Sequence, residues 1–547
     1  MARMLCCLCL LLSLPAIALP SGDVRRDEIA NRVRLGSFVV AECARGVCLL
    51  QDLGGDDLTA VWERPMARAL AVGGSTALFK VLGHDRDTLT AADLGDPIHP
   101  AFSDLLDRPE IGGISAVEVS GVLHVAFSAV DGGHESIYYM RRERGEWREP
   151  RLLSASGCDQ PRTMPAIAVT AGRIIVAFAG YDGSDYEVYT VTGDGQLFSA
   201  ESLVTSNEVA ADIFPVFRST NGAGAELAWT RYGVGESREI IAPVGADGSV
   251  REVAETPSVA EPSRTAESLA NVFCGFGDSI TEGNGSDGYY PALETLLGQN
   301  YGASDVINAG FPGEITAGGL ARLPSVLASR RPGTVLLMEG TNDVTRNQSS
   351  RTIADNMLQM VLRCREAGSV PVLSTLIPRG PNDGFDPNNT ATGRANQLLR
   401  VSMIQNRIPY VDMFDAFLAD PDYRDNLMED HVHPNGRGYD VMGRQWYEGI
   451  ARLGPRTPSS VTASQVGNKK QVLVSWPANA DSDANGYLVH YGTSPGIYDK
   501  VVDAANRTSY RIDNLEYGVT YYFAARCYDR KTNLSGLSPE ASVTVSK

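Results

Sequence analysis

The sequence predicts a multidomain protein: an all-β region, then an α/β domain with a parallel sheet between helices, then a smaller all-β sandwich. The length of 547 residues corresponds to roughly three to four domains. Short strand-like runs separated by Gly and Asp turns fill residues 25–257, whereas strands alternate with amphipathic helices over residues 270–452. The helices stop after the Pro-rich joint "LGPRTPSS", and residues 457–547 alternate strands with turns.

The composition is that of a globular protein and argues against nucleic-acid binding. Hydrophobic residues make up 43% of the chain and charged residues 21%, and the formal net charge is -18. No basic run offers the phosphate contacts on which nucleic-acid affinity depends. We therefore expect no nucleic-acid partner.

The first residues predict an exported protein. A short basic start and an apolar middle precede "AIA", which is the pattern of a secretory signal peptide at residues 1–18. The stretch is short for a membrane span, and no later segment has the composition of a transmembrane helix. The mature protein is expected in the periplasm or outside the cell.

The cysteines outside the signal peptide indicate at most one short disulfide and no structural zinc. Cys43 and Cys48 are close enough in "ECARGVC" to suggest a bridge across a hairpin, which export would permit. Cys274, Cys364 and Cys527 stand in apolar runs and are expected to be buried thiols. These cysteines form no CxxC and no Cys/His cluster, which argues against structural zinc. We expect no metal and no cofactor.

The region 25–257 contains three similar stretches, which begin "ISAVEVSG", "MPAIAVTA" and "FPVFRSTN". Each has four strands separated by Gly-rich or acidic turns, with a spacing of about fifty residues that suits a propeller blade. The region resembles a β-propeller of the sialidase or BNR-repeat type. The blade end "RERGEWREP" lacks the Ser and Asp of a full Asp-box, so we favour a binding or scaffolding propeller over a glycosidase.

A Pro/Ser/Glu-rich linker at residues 258–269 leads into the α/β domain. Its predicted strands are "NVFCGF", "SDVINAG", "TVLLMEG", "VPVLSTLI" and "IPYVDMF". Between them lie amphipathic segments such as "YYPALETLLGQ" and "TIADNMLQMVLRCREAG". Alternation of this kind implies right-handed crossovers and a parallel sheet.

Four polar motifs in this domain follow predicted strands or precede the last helix. They are "GDSIT" with Ser279, "NAGFPGEIT" with Gly313, "MEGTNDV" with Asn342, and "DHVHPNG" with Asp430 and His433. Each motif alone could be a turn or a helix cap. Together, in this order, they resemble the SGNH (GDSL-type) hydrolase family over roughly 180 residues.

The resemblance implies a flavodoxin-like sandwich that hydrolyses esters or thioesters without a metal. Ser279 would be the nucleophile, His433 the general base, and Asp430 the group that orients and stabilises the imidazole. The backbone N–H groups of Ser279 and Gly313 and the amide of Asn342 would form the oxyanion hole.

Two residues beside the motif residues, His431 and Asp343, are not expected to take part in catalysis. His431 lies next to Asp430, where successive side chains usually diverge, so His433 is the expected base. Asp343 is expected to orient its loop and not to act in catalysis.

The last domain resembles a fibronectin type III domain over residues 457–547. Trp476 falls at a core position of an early strand, and the spacing from Leu515 to Tyr521 is that of a tyrosine corner.

We therefore expect an exported serine ester hydrolase, and specifically a carbohydrate acetyl esterase that forms an acyl-enzyme, because extracellular enzymes acting on polysaccharide often carry such accessory domains. The flanking domains would bind polysaccharide or a cell surface. A lipid esterase of lysophospholipase type is the alternative within enzymes, although no long apolar lid segment is evident. A carbohydrate-binding or adhesion protein with a vestigial hydrolase domain is the alternative of another class, which the complete set of motif residues disfavours.

Overall fold

The fold is given by a computed structural model that describes residues 23–547 apart from short gaps. The gaps are residues 26–29, 36–37, 44–45, 52–56, 84–85, 97–99, 132, 156–159, 208–209, 220–224, 234–236, 252–268, 302–304, 381–386, 456, 482–483 and 531–533. The expected signal peptide and nearly all of the expected linker lie outside the described residues. The multidomain architecture is confirmed: a β-rich region, an α/β domain and a β-sandwich follow one another along the chain.

Within the described residues, the β-rich region contains five antiparallel sheets that follow one another in sequence. The first sheet contains β1 (Asp23–Arg25), β2 (Ala30–Leu35), β3 (Phe38–Cys43), β4 (Gly46–Gln51) and β5 (Asp57–Pro65). The second contains β6 (Ala67–Gly73), β7 (Thr76–Leu82), β8 (Asp87–Asp93) and β9 (Ala101–Arg108). The third contains β10 (Glu110–Val119), β11 (Val122–Val130), β12 (Glu135–Glu143), β13 (Glu146–Trp147) and β14 (Arg151–Leu152).

The remaining two sheets complete this region. The fourth contains β15 (Arg162–Thr170), β16 (Arg173–Tyr181), β17 (Tyr186–Gly193) and β18 (Ser202–Leu203), and the fifth contains β19 (Ala211–Ser219), β20 (Ala225–Tyr232) and β21 (Ser237–Val244). The leading strands β6, β10, β15 and β19 contact one another in succession, and apolar clusters lie between neighbouring sheets. Successive propeller blades would show this order, while closure of the sheets into a propeller stays a prediction.

The α/β domain is built on a five-stranded sheet. Its strands are β22 (Leu269–Gly277), β23 (Asp305–Gly310), β24 (Pro332–Met338), β25 (Val370–Ser374) and β26 (Tyr410–Val411). Its helices are α1 (Ser279–Glu282), α2 (Tyr290–Tyr301), α3 (Thr316–Arg330), α4 (Thr341–Thr345), α5 (Ser350–Glu366), α6 (Pro387–Gln405), α7 (Met413–Leu418), α8 (Tyr423–Asn426) and α9 (Gly436–Ala451).

The sheet order is β23-β22-β24-β25-β26, and all of its pairings are parallel. Helices α2, α7 and α9 form one contacting set and α3, α5 and α6 another, as right-handed crossovers to the two faces require. The order 2-1-3-4-5 is that of flavodoxin-like folds, whose connections reverse direction beside the first strand. The loops after β22 and β24 therefore open a crevice at the carboxyl edge of the sheet.

The β-rich region docks on this domain through a shared core. Tyr186, Ile213 and Tyr232 belong to the same buried cluster as the side chains of the α/β sheet. The buried Tyr186 hydroxyl donates to Asn356 Oδ1 at 2.9 Å. Because Asn356 lies on α5, this contact ties the β-rich region to a helix that packs against the sheet.

The last domain is a β-sandwich. One sheet contains β27 (Thr462–Gln465), β28 (Val472–Ser475) and β31 (Ser509–Ile512), and the other contains β29 (Ala484–Gly492), β30 (Lys500–Ala505), β32 (Thr520–Asp529) and β33 (Ala541–Thr544). Trp476 is buried between them. The Tyr521 hydroxyl accepts a hydrogen bond from the N–H of Glu516 at 3.2 Å, which confirms the predicted tyrosine corner.

The three predicted buried thiols, Cys274, Cys364 and Cys527, are buried. Strand pairing places Cys43 opposite Gly46 and Cys48 opposite Ala41. The side chain of Cys43 lies outside the described residues, so the bridge to Cys48 stays a prediction. Among the described helices, none combines the length and the apolar character that a membrane crossing needs.

Candidate active site at the carboxyl edge of the sheet

The strand that leads to Ser279 ends in a glycine because the neighbouring backbone leaves no room for a side chain. A Cβ atom at Gly277 would stand 2.0 Å from the carbonyl oxygen of Met338 on β24. Gly277 also pairs with Gly310 on β23. The close approach aligns the ends of three strands, so the residues that follow them meet at one edge of the sheet.

Asp278 turns the chain from β22 into α1. Its carboxylate accepts a hydrogen bond from the N–H of Ile280 at 2.9 Å, as an N-cap does. Ser279 is therefore the first residue of the helix, with its side chain free of the capping role. The helix-cap explanation of this motif applies to Asp278, and Ser279 remains available for chemistry.

Ser279, His433 and Asp430 form a continuous line of hydrogen bonds. Ser279 Oγ lies 2.9 Å from His433 Nε2, and His433 Nδ1 lies 2.8 Å from Asp430 Oδ2. The second carboxylate oxygen, Asp430 Oδ1, accepts from the N–H groups of Val432 and His433 at 2.6 and 2.7 Å. The carboxylate thus holds both the imidazole and the loop that carries it.

These contacts keep the carboxylate charged. Burial acts to raise the pKa of the Asp430 carboxyl, but hydrogen bonds from the backbone and the imidazole of His433 and from the Val432 N–H outweigh it. The pKa of Asp430 therefore lies below its ordinary value. An ionised carboxylate on Nδ1 favours the tautomer in which Nε2 can accept a proton from Ser279.

His431 lies outside this line. Its side chain is exposed, and its carbonyl oxygen accepts a hydrogen bond from the N–H of Gly380 at 3.1 Å. The structure thus brings His433, and not His431, against Ser279.

Gly313 occupies a turn whose geometry favours glycine. Glu314 N–H donates to the carbonyl of Phe311 at 3.2 Å, and Gly313 has φ +76°, the combination found in a type II turn with Pro312 at its second position. A Cβ atom at Gly313 would meet no protein atom within 4 Å. Backbone conformation, and not a lack of space for a side chain, is therefore the reason for glycine here.

Asn342 is held beside this turn. Its Nδ2 donates to the carbonyl oxygen of Glu314 at 2.8 Å, which leaves the second amide hydrogen for another acceptor. Asn342 follows β24 while Glu314 follows β23, so the bond joins the two loops that flank Ser279. The expected oxyanion donors thus come from connected loops.

Asp343 has the supporting position predicted for it. It is buried and accepts from both the N–H and the hydroxyl of Thr316. Burial raises the pKa of Asp343 to about 6, and the hydrogen bonds from Thr316 oppose that rise. The Thr316 hydroxyl also accepts from Asn356 Nδ2 at 2.9 Å, so the network extends to α5.

Two supporting features were missed by sequence reasoning. One is a buried cluster of charged side chains beneath the site. In it, Arg322 forms an ion pair with Glu314 at 2.5 Å, and the side chain of Glu339 is 1% exposed. Burial and the nearby Glu314 charge raise the pKa of Glu339 well above its ordinary value. In the sequence, the only indication of a role for Glu339 is its position at the end of the predicted strand "TVLLMEG".

The other missed feature is Gly380 in the loop after β25. A Cβ atom at this position would stand 1.9 Å from the carbonyl oxygen of Asp430. The neighbouring Arg379 is buried and donates to the carbonyl of Thr341 at 3.0 Å. This loop therefore contacts both the loop that carries Asp430 and His433, here called the triad loop, and the loop of Asn342. In the sequence, the only indication of this loop is the Gly/Pro-rich run "PRGP" after a predicted strand.

No group of three potential metal ligands lies at this site among the described residues. The one such group that the described part of the chain contains is on the turn between β16 and β17.

Comparison with known proteins agrees with this geometry. Residues 276–441 match the GDSL-like Lipase/Acylhydrolase family, and residues 456–544 match the fibronectin type III domain. Esterase TesA of Pseudomonas aeruginosa is 33% identical over 124 residues, which are 22% of this chain and 61% of the relative. An arylesterase of Vibrio mimicus is 35% identical over 130 residues, which are 24% of this chain and 61% of the relative.

Both alignments span about three fifths of the relatives' own length. Among solved structures, a catalytic mutant of an acetylxylan esterase from Geobacillus stearothermophilus aligns with a TM-score of 0.30 at 20% identity, covering 34% of this chain and 95% of that one. Residues 276–441 form a domain of the GDSL-like lipase/acylhydrolase family, and residues 456–544 form a fibronectin type III domain.

Proposed function

We propose that this chain is a serine ester hydrolase with Ser279 as its nucleophile. The observation that carries the proposal is the unbroken line of hydrogen bonds from Ser279 through His433 to Asp430, at 2.9 and 2.8 Å. The names of two relatives, an esterase and an arylesterase, support the same reaction class.

In the first half of the reaction, Ser279 Oγ attacks the ester carbonyl while His433 Nε2 takes its proton. Asp430 stabilises the resulting imidazolium without taking a proton from it. The N–H groups of Ser279 and Gly313 and the free amide hydrogen of Asn342 receive the oxyanion. Collapse of the intermediate breaks the bond to the alcohol, which leaves with the proton from His433.

In the second half, water attacks the acyl group on Ser279 and His433 takes a proton from that water. Collapse of the second tetrahedral intermediate releases the carboxylic acid, and the proton returns from His433 to Ser279. Apart from the ester and the attacking water, every group in these steps is supplied by the chain itself.

We propose acetylated carbohydrate as the substrate and export as the route, with cleavage after Ala18. The support is the predicted signal peptide, and the hydrolase domain standing between a β-rich region and a fibronectin domain that could hold a polymer close to the site. N-terminal sequencing of the secreted protein tests the cleavage position.

A substrate panel tests the chemical class. It comprises acetylated xylan, acetylated mono- and oligosaccharides, p-nitrophenyl esters of rising chain length and phospholipids, with Ser279→Ala as the blank. We expect the highest kcat/KM on acetyl esters and a steep fall with acyl length. A preference for long acyl chains or phospholipids would replace the carbohydrate assignment by lipid hydrolysis, and no Ser279-dependent turnover on any ester would favour a vestigial domain.

A further inference from the structure

A second cluster of chemically active side chains lies on the turn between β16 and β17 and at the start of β17, in the sequence "YDGSDYE". Asp182, Asp185 and Glu187 each direct one carboxylate oxygen into a common space, where these atoms lie within 4.8 Å of one another. Asp182 is exposed, whereas Asp185 and Glu187 are buried. The cluster is thus open to solvent on one side and enclosed by protein on the other.

Asp185 is the unusual member of the cluster. It is 2% exposed, and neither of its carboxylate oxygens has a hydrogen-bond partner. In the part of the chain that the structure describes, no ion pair within 4.0 Å includes any of the three acids. A buried carboxylate without partners is strongly unfavourable in its charged form unless a cation compensates it, and otherwise it takes up a proton.

The cationic side chains nearby are engaged with other groups. Arg231 forms a two-point contact with Asp212, with both distances 2.7 Å. Arg363 donates to the carbonyl oxygen of Ser184 and to the hydroxyl of Tyr181. Neither arginine comes within ion-pair distance of Asp185, so the carboxylate lacks a compensating charge at contact distance.

Glu187 is held in place by donors from the segment after β18. Its Oε2 accepts from the hydroxyl of Thr205 and its Oε1 from the N–H of Asn207, both at 2.5 Å. Burial raises the pKa of Glu187 to about 8 and that of Asp185 to about 9, where the neighbouring acids add to the effect. Both effects follow from the packing, because carboxylates this close together and this buried do not stay charged unless a cation offsets them.

We propose that this turn is a calcium-binding site formed by Asp182, Asp185 and Glu187. All three ligands are carboxylate oxygens, the hard donors that Ca²⁺ and Mg²⁺ prefer. Oxygens on opposite sides of a Ca²⁺ stand about 4.6 to 5.2 Å apart, compared with about 4.0 to 4.2 Å for Mg²⁺. The three oxygens all lie within 4.8 Å of one another, so one Ca²⁺ can contact all of them. Mg²⁺ demands a stricter octahedral geometry and gives up its water ligands reluctantly.

The site would stabilise the contact between the β-rich region and the hydrolase domain. Ser184, inside the turn, and Tyr186, directly after it, both contact α5 through Arg363 and Asn356. Neutralising the buried acids would fix the turn in the conformation that makes these contacts. The cation would act on stability, and no catalytic step requires it.

Calorimetry and thermal unfolding of the full-length protein test the proposal. After treatment with a chelator and dialysis, CaCl₂ should bind with one ion per chain. At a calcium concentration one hundred times Kd, the Tm of the β-rich region should rise by on the order of 5 to 10 °C. MgCl₂ should bind more weakly.

Two variants and one control separate this site from unspecific binding. Asp185→Asn keeps the shape of the side chain but removes its charge, and it should weaken calcium binding at least about tenfold. If that variant failed to fold, Asp182→Asn at the exposed position should weaken binding in the same way. Asp194→Asn, in the next turn of the same sheet, should keep the full Tm shift because Asp194 is exposed and bonded to backbone N–H groups. Absence of a calcium-induced shift in the unchanged protein, or an equal shift in Asp185→Asn, would overturn the proposal.

Discussion

His433 and His431 stand two positions apart in one loop, yet only the imidazole of His433 lies between a hydroxyl and a carboxylate. His433→Ala should lower kcat on p-nitrophenyl acetate by about 10⁴-fold or more, because the general base is lost. His431→Ala should change kcat little, since its exposed side chain is not in the triad. Steady-state kinetics of the two folded variants measure the difference, and equal activities would contradict the assignment.

Asn342 offers a graded test of the oxyanion hole. Asn342→Ala should lower kcat by about 10² to 10³-fold and leave KM nearly unchanged, because the amide acts on charge that develops in the transition state. Asn406→Ala, which removes an exposed amide bonded to the carbonyl of Ser402, is the control and should be active. A loss confined to KM would mean that Asn342 binds the substrate and not the oxyanion.

The residues proposed to carry out the reaction could be found in the sequence because they stand in short motifs with fixed chemical roles. Ser279, His433 and Asp430 lie where a Ser-His-Asp mechanism needs them, although their catalytic roles stay predictions until activity is measured. Glu339 and Gly380 could not be predicted in this way. Their importance depends on which distant backbone or side chain packs against them, and local sequence carries little trace of that.

At the scale of loops and strands, Gly380 offers the most direct test of how the triad loop is positioned. Gly380→Ala would drive a Cβ atom against the backbone of Asp430, from which an ideal Cβ is only 1.9 Å away. The triad loop must then shift, and we expect kcat to fall by about 10²-fold, since small displacements of reacting groups carry costs of that order. Circular dichroism should show an intact fold.

Gly393→Ala is the matched control for this substitution. Gly393 lies within α6, where an added Cβ would meet no atom within 4 Å. Alanine favours a helix over glycine by about 0.5 to 1 kcal/mol, so this variant should keep its activity and gain slightly in stability. Similar kcat values for the two glycine variants would show that Gly380 does not position the triad.

Most elements of the α/β domain could be predicted from alternating strand and helix patterns, but their lengths could not. The predicted strand "IPYVDMF" has only two residues in the sheet, Tyr410 and Val411. Asp412 ends it by accepting from the N–H of Asp415 and starting α7. Arg400 also contacts Asp412 at 2.7 Å, and this partner from another helix is invisible in the local pattern.

At the scale of the whole molecule, the contact between the β-rich region and α5 is expected to contribute to stability. Tyr186→Phe would remove the buried hydroxyl that donates to Asn356 Oδ1 and leave that oxygen without this donor. The free energy of unfolding should fall by about 1 to 3 kcal/mol, as urea denaturation would measure. Tyr189→Phe, on the same strand with its ring stacked on Phe178, should have a smaller effect. An equal effect of the two substitutions would argue against the interface.

The order of the three parts along the chain followed from composition and pattern, whereas their packing did not. The interface joins residues that are far apart in sequence, such as Tyr186 and Asn356, which are separated by 170 positions. No periodicity within either segment specifies that pairing. For the same reason, strand-like repeats indicate blade-like sheets but do not determine whether they close into a ring.

The most direct test of the central claim is to locate the acyl group during turnover. Full-length protein would be mixed with p-nitrophenyl acetate, quenched in acid and digested, and the peptides analysed by mass spectrometry. We expect one acetylated peptide, containing Ser279, and neither this adduct nor ester hydrolysis in folded Ser279→Ala. Undiminished hydrolysis by that variant, or an acetyl intermediate on a different residue of the unchanged protein, would contradict the account.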